Sequence, residues 1–482
     1  MAPNTTGSMH HQTQLITYVD RLGGGGLREL TALFDGPLAG LFGGVHVLPF
    51  FHPIDGADAG FDPIDHTRVD PRLGDWPDVR SLATRADVMA DLIVNHVSAG
   101  SPQFQDFVAR GDSSHWAKLF LTRDSVFPGG ATADELARIY RPRPGAPFTD
   151  VQLATGETRA LWTTFTSNQI DIDVHDLAGR EYLLSILDRF AGAGIRAIRL
   201  DAAGYAIKKR GTSCFMLPET FAFIREVASR AHERNIEVLV EIHSHYTTQL
   251  AIAAQVDWVY DFALPPLVLH AFCHGTAAAL KHWIRVRPRN CFTVLDTHDG
   301  IGVVDIGADG ANSGLVPPAE LDRLVEYIHE QSEGQSRRAT GVHASNLDLY
   351  QVNCTYFDAC GRNAEAYLAA RALQLFLPGV PQIYYVGLLG GTNDMALLER
   401  THVGRNINRH YYMRAEIETA LASPLVQRLC ELIRLRNSHP AFAGEFELLE
   451  SPAHALRLRW TAGRERAELA VDFRQPSFAV TT

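Results

Sequence analysis

Cysteine, methionine and tryptophan are sparse, six of each in 482 residues. Cys214, Cys273, Cys291, Cys354, Cys360 and Cys430 are scattered and form no C-x-x-C pair. That argues against a disulfide-built scaffold and fits a reduced, cytoplasmic protein. Positive charge is also short: 44 Lys and Arg face 55 Asp and Glu, a formal net charge of −11. Nucleic acids and anionic membrane surfaces need a basic patch, so this balance argues against both as partners. No apolar run approaches the ~18 residues of a membrane span. The opening MAPNTTGSMHHQ lacks the basic-then-apolar order of a secretion signal, so Asn4-Thr5-Thr6 reads as an accidental glycosylation sequon. What is present is ordinary for a globular chain. Hydrophobic residues make up 46%, too many for a disordered protein, and the length implies several domains or one large α/β barrel with additions.

Short apolar, β-branched runs recur with helical spacing between them. They are LITYV near 15, GVHVLPFF at 44–51, DVMADLIV at 87–94, IRAIRLD at 195–201, IEVLVEI at 236–242, WVYDFAL at 258–264, FTVLDTHD at 292–299 and GVPQIYYVG at 379–387. Continuous apolar strands belong to sheets covered on both faces, and eight alternating with helices is the count of a (β/α)8 barrel. About 100 residues separate the third run from the fourth and about 80 the seventh from the eighth, both rich in Gly, Pro, Ser and Asp. Structureless loops of that length are uncommon, so both read as inserted subdomains. The expected layout is a TIM barrel from 1–94, 175–300 and 362–441, insertions at 95–174 and 301–361, and a short C-terminal β domain at 442–482. Loops after barrel strands lie on the active-site face, so the insertions are expected to wall the pocket.

Four strand ends carry polar residues. Asp91 and Asn95 in DLIVNH, Arg199 and Asp201 in IRLDAAGY, Glu241 and His243 in VEIHSH, and His298 and Asp299 in LDTHDG fall at or just beyond apolar runs. One such carboxylate is equally well a helix cap or a paired core charge. Four in series imply function, because buried ionisable groups cost several kcal/mol each unless paired.

These four segments, in this order, resemble the motif regions of the alpha-amylase superfamily of retaining glycoside hydrolases (glycoside hydrolase family 13). DGADAGFDPIDHTRVDPRLGDW, SVFPGGATADELARIYRPRPGAPFT, SNLDLYQVN, LPGVPQIYYVG and NDMALLERTHVGRNINRHYY are similar to one branch of it, the sucrose phosphorylase family, from about residue 11 to 445. The resemblance implies reversible phosphorolysis of sucrose to α-D-glucose 1-phosphate and fructose through a covalent β-glucosyl-enzyme. It implies Asp201 as nucleophile, Glu241 as general acid/base and Asp299 as the carboxylate that steadies the transition state. A retaining mechanism needs two carboxyls flanking the glycosidic bond, one ionised and one protonated. Arg199 is expected to keep Asp201 ionised; once Asp201 is an ester its charge is gone and Glu241 can act as a base. By the same resemblance Asp58, His96, His298 and Arg405 hold the glucosyl hydroxyls, and Phe61 and Tyr205 offer an apolar platform. Arg143 and Tyr350 match phosphate-contacting positions, and Asp348, Gln351 and His243 fructose-contacting ones. A fixed arginine would offset the repulsion between phosphate and the carboxylates. No cofactor or metal is expected beyond phosphate as co-substrate, and family habit implies a homodimer.

Plainer readings stand beside these. Phe61 and Tyr205 fit core packing, and Arg143, between two prolines, fits a solvated loop residue. His243-x-His245 has metal-like spacing without a completed shell. Asn95 reads as a hydrogen-bonding strand end or as a calcium ligand of the kind some alpha-amylases use. The run Gly23–Gly26 lacks dinucleotide-fingerprint spacing and reads as loosening the turn after the first strand. A catalytically dead sugar-binding barrel, a sister phosphorylase for sucrose 6'-phosphate, glucosylglycerol or glucosylglycerate, and a hydrolase or transglucosidase are the alternatives to the main reading.

Overall fold

The computed structural model describes residues 11–55, 57–141, 145–310, 312–340 and 351–482, with the side chains of 57 and 58 left aside. Eight parallel strands close into a barrel: β1 (Gln14–Thr17), β2 (Gly44–Val47), β3 (Asp87–Ile93), β4 (Ala197–Asp201), β5 (Glu237–Val240), β6 (Trp258–Asp261), β7 (Cys291–Thr293) and β8 (Val380–Tyr384). Each pairs with its neighbour in sequence, and β1 closes the ring against both β2 and β8. All eight apolar runs of the sequence are barrel strands. Helices on the outside and side chains on the inside bury both faces, which is why the strands read as continuous rather than alternating.

The barrel interior is not wholly apolar. Gln382 Nε2 donates to Gln14 Oε1 (3.3 Å), Tyr260 Oη donates to Gln382 Oε1 (3.1 Å) and lies 3.4 Å from His46 Nδ1. His46 Nε2 meets Asp91 Oδ2 at 3.1 Å, and Arg199 Nη1 donates to Asp91 Oδ1 at 2.5 Å. The β3–β4 register puts Arg199 directly beside Asp91. A buried polar chain therefore runs up the barrel axis, every link satisfied by the next.

Between β3 and β4 the chain forms short helices, an antiparallel hairpin (Phe148–Gln152 with Thr158–Trp162) and a strand Gln169–Asp171 that pairs with His96–Ser98. Leu121, Phe127, Ile139 and Trp162 from this region form a small apolar cluster, joined by Cys214 from beyond β4. Between β7 and β8 lie the helix Pro318–Gln331 and a two-residue pairing of Ile301–Gly302 with Gln351–Val352. After residue 444 four antiparallel strands alternate cleanly: Leu456, Leu458, Trp460, Leu469 and Val471 are buried. Trp460 Nε1 donates to the Phe376 carbonyl (2.6 Å), docking the sheet on a barrel helix. The glycine run gives the first turn a left-handed backbone, with φ of 105° and 74° at Gly23 and Gly24, and Gly26 then caps the helix Leu27–Phe34.

Candidate active site

Fifteen residues were singled out from sequence. Arg143, Asp348 and Tyr350, and the side chain of Asp58, lie outside the described residues. The remaining eleven, Phe61, His96, Arg199, Asp201, Tyr205, Glu241, His243, His298, Asp299, Gln351 and Arg405, all line one cavity at the C-terminal ends of the strands.

Arg199 is the hub. It is 2% exposed, and besides Asp91 its Nη1 donates to Asp201 Oδ1 (3.1 Å) while Nη2 lies 2.7 Å from Glu241 Oε1. One guanidinium thus holds the two carboxylates proposed for nucleophile and acid, on two of its nitrogens. The β4–β5 pairing supplies this geometry by laying the two strand ends side by side. Burial acts against the charge on Arg199, but Glu241, Asp91 and Asp201 outweigh it and hold its pKa well above the usual value. Burial likewise acts against charge on Asp91, yet His46 and Arg199 bring its pKa down to about 2. Directly after Asp201, Ala202 adopts a left-handed φ of 56°, which turns the chain sharply into the cavity wall.

Asp299 faces three cationic or polarised neighbours: Arg405 Nη1 at 2.9 Å, His298 Nε2 at 3.7 Å and Arg409 Nη2 at 3.8 Å. It is deeply buried, which favours its neutral form, but Arg405, His298 and Arg409 hold its pKa well below the carboxylate range. His298 stacks on Phe61 (centroids 5.0 Å apart, 13° between planes), and burial lowers its pKa to about 3, so the ring is neutral near pH 7. Phe61 also lies beneath Arg199, 5.3 Å from ring centroid to guanidinium carbon. His96 Nε2 donates to the Phe61 carbonyl (3.1 Å) and sits 3.1 Å from the Gln169 side-chain amide.

His243 stacks on Phe262 (4.0 Å, 16°), and its Nδ1 is 3.0 Å from the buried Asp305 Oδ2. Its Nε2 points to the cavity, 3.9 Å from Glu241 Oε1. Burial lowers its pKa, but Asp305 and then Glu241 outweigh that and raise it above the histidine norm. Gly302 makes room for this pair: a Cβ there would stand 2.5 Å from Asp305 Oδ2 and 3.3 Å from His243 Nδ1.

Several cavity residues escaped sequence reasoning. Tyr140, Phe165 and Phe215 surround Tyr205 with ring centroids 6.1, 5.1 and 4.8 Å away, making an aromatic wall from three separate segments. Asp305 and Gln169 carried no motif signal, and Arg409, although it lies within NDMALLERTHVGRNINRHYY, was not singled out there; their partners are distant in sequence. Asn95 is a hydrogen-bonding strand end: its Oδ1 accepts from Lys208 Nζ (2.8 Å), which also pairs with Asp171 (2.7 Å) and the Tyr205 carbonyl. The ammonium already occupies that oxygen set. Glu241, His243 and Asp299 present ligand atoms within 4.8 Å of one another, but Arg199, Arg405 and Arg409 face the same carboxylates and would repel a divalent ion.

A parallel eightfold barrel with carboxylates at the ends of β4 and β5, and a third held by arginines beyond β7, has the layout of an alpha-amylase-type enzyme. No family model matches the chain. It is 62% identical over 475 residues to the sucrose phosphorylase of Agrobacterium vitis, covering 98% of this chain and 97% of that one. It is 52% identical over 467 residues to the sucrose phosphorylase of Bifidobacterium adolescentis, covering 96% and 92%. The crystal structure of sucrose 6F-phosphate phosphorylase from Thermoanaerobacter thermosaccharolyticum superposes with a TM-score of 0.91 at 37% identity, covering 98% and 96%. The chain belongs to the sucrose phosphorylase family.

Proposed function

We propose that this protein catalyses the reversible phosphorolysis of sucrose, giving α-D-glucose 1-phosphate and fructose with retention. The observation that carries the reading is the pairing of Asp201 and Glu241 on the buried Arg199, in a cavity whose far wall is Asp299 with Arg405. Asp201, held by Arg199, attacks the glucosyl anomeric carbon as Glu241 protonates the departing fructosyl oxygen. The ester forms and the glycosidic bond breaks. Phosphate then attacks the anomeric carbon of the ester, its hydroxyl proton passing to Glu241, and Asp201 leaves as carboxylate. Asp299 is held charged by its arginines and steadies the positive charge that develops on the sugar ring. Phe61 and Tyr205 form the platform against the ring, and His96, His298 and Arg405 serve its hydroxyls, with Asp58 as a further contact.

Phosphate is anionic and has to enter among carboxylates. His243, pushed toward its cationic form by Asp305, supplies positive charge beside Glu241. Arg143 and Tyr350 are the proposed phosphate contacts, and Asp348 and Gln351 the fructose contacts. These steps use only protein groups and the co-substrate phosphate, so no cofactor is assigned. Among the described residues no helix is long and apolar enough to cross a membrane. We assign the protein to the cytoplasm as a homodimer.

Incubation with sucrose, with and without phosphate, tests the reading. Glucose 1-phosphate should form only with phosphate, and Asp201→Asn should lower turnover by about a thousandfold or more while leaving the fold intact. Free glucose in equal yield under both conditions would make the protein a hydrolase. Faster use of sucrose 6'-phosphate, glucosylglycerol or glucosylglycerate than of sucrose would move it to a sister activity. Retained turnover within tenfold in Asp201→Asn would remove Asp201 as nucleophile.

A further inference from the structure

Away from the cavity, the helix Leu264–His274 that follows β6 packs against the helix Pro318–Gln331 from the segment between β7 and β8. His270 and His274 lie one helical turn apart, so both rings leave the same face, with centroids 4.5 Å apart. Glu320, in the first turn of the facing helix, meets His270 Nε2 at 2.7 Å. One ligand atom from each of the three residues lies within 4.8 Å of the others. His274 Nε2 is shut off from solvent and has no hydrogen-bond partner among the described residues. A buried polar atom left in that state needs an explanation, and a bound ion is one.

We propose that His270, His274 and Glu320 form a binding site for a divalent first-row transition ion, zinc by preference, which ties the segment between β7 and β8 to the barrel's helical coat. Two imidazoles and one carboxylate, with water in the fourth position, are a donor set that zinc accepts; calcium and magnesium prefer oxygen alone. Tetrahedral bonds of ~2.0–2.1 Å would set ligand atoms about 3.3 Å apart, so the 2.7 Å contact has to open slightly. Glu320 can give way, since its side chain is 43% exposed, whereas His270 is fixed at 2%. The proton by which His270 Nε2 now meets Glu320 has to move to Nδ1 or leave when an ion binds there, so binding should weaken as pH falls. Arg323, one turn beyond Glu320, is drawn off by Glu330 at 2.9 Å.

The test uses the full chain, stripped with chelator, dialysed and titrated with Co2+ and then Zn2+. Wild type should bind one Co2+ per chain with the visible absorption of a four-coordinate site. Zn2+ should displace it and raise the thermal midpoint, and turnover should be unchanged at one equivalent. His274→Ala and Glu320→Gln should each bind at least about tenfold more weakly and lose the thermal shift, with metal-free activity as in wild type. Should His274→Ala fold poorly, Glu320→Gln, at a half-exposed carboxylate, carries the comparison alone. No binding by wild type overturns the proposal. So does binding that both variants retain, and so does inhibition of turnover at one equivalent, which would place the ion on Glu241, His243 and Asp299.

Discussion

In the proposed mechanism Glu241 lends a proton to the departing sugar, yet its carboxylate lies 2.7 Å from Arg199 Nη2. Donation therefore requires Glu241 to exchange that contact for the glycosidic oxygen as sucrose binds. Glu241→Gln should lose the first step with sucrose but keep it with α-glucosyl fluoride, whose leaving group needs no proton. Equal losses with both donors, read as initial rates, would mean that Glu241 only positions the substrate. His243 makes a second prediction. Asp305 holds its pKa up, so Asp305→Asn lets burial dominate and the ring loses its proton at lower pH. The alkaline limb of phosphate-dependent turnover should move to lower pH, with KM for phosphate rising more than kcat falls. A uniform loss of kcat with no movement of the limb would leave Asp305 a merely structural role. Asp201, Glu241 and Asp299 stood out because they lie at or beyond apolar runs in segments that resemble family motifs, and the fold brings all three to one cavity. Asp305 did not, because nothing in VVDIGADG marks it until the fold sets it under His243.

At the scale of elements, legibility follows the physics of burial. Parallel strands covered on both faces are mostly apolar, so all eight announced themselves despite the polar residues on the barrel axis, and the alternating runs near the C-terminus read as a β domain. What the strands place opposite one another did not announce itself. His46, Tyr260 and Gln382 become one hydrogen-bonded chain only through register across the barrel, and no local pattern encodes that. Lys208 is the sharpest case. Its ammonium joins the end of β3, through Asn95, to the strand Gln169–Asp171, through a fully buried Asp171. Asp171 also accepts from the Thr164 amide (2.9 Å) and hydroxyl (2.5 Å), so it is fixed in place. Lys208→Met keeps the stem's packing and strands that carboxylate, a change that costs about 3–5 kcal/mol. Its thermal midpoint should fall well below that of wild type. A midpoint unchanged in the Met variant would show that the β3–β4 segment is held by its apolar contacts alone.

For the whole molecule, the buried titratable groups fix how stability varies with pH. Three of them act in the same direction. Asp91 has its pKa lowered to about 2, so its stabilisation is complete above the ordinary carboxylate range and is lost as pH falls toward 2. His66 and His298, lowered by burial to about 4 and about 3, bind protons in the unfolded chain near 6.5 but resist them when folded. Unfolding therefore takes up protons below pH 6.5, and stability falls from there, well before the carboxylates titrate. His243, with its pKa raised, opposes this: its contribution is complete below 6.5 and is lost as pH rises through the folded value. His66 isolates the acid effect, because it lies outside the cavity. Its Nε2 donates to the Asp91 carbonyl at 3.0 Å, and its ring packs edge-on against Phe51 and Phe190. A folded pKa near 4 against 6.5 unfolded makes this one residue worth about 2 kcal/mol of lost stability between pH 7 and pH 5. His66→Gln keeps a donor toward Asp91 without a titrating ring. Urea unfolding of both proteins at the two pH values measures the difference: wild type should lose about 2 kcal/mol more than the variant on going to pH 5. Equal losses would mean that the ring takes up its proton in the folded state and that the acid sensitivity belongs to other groups.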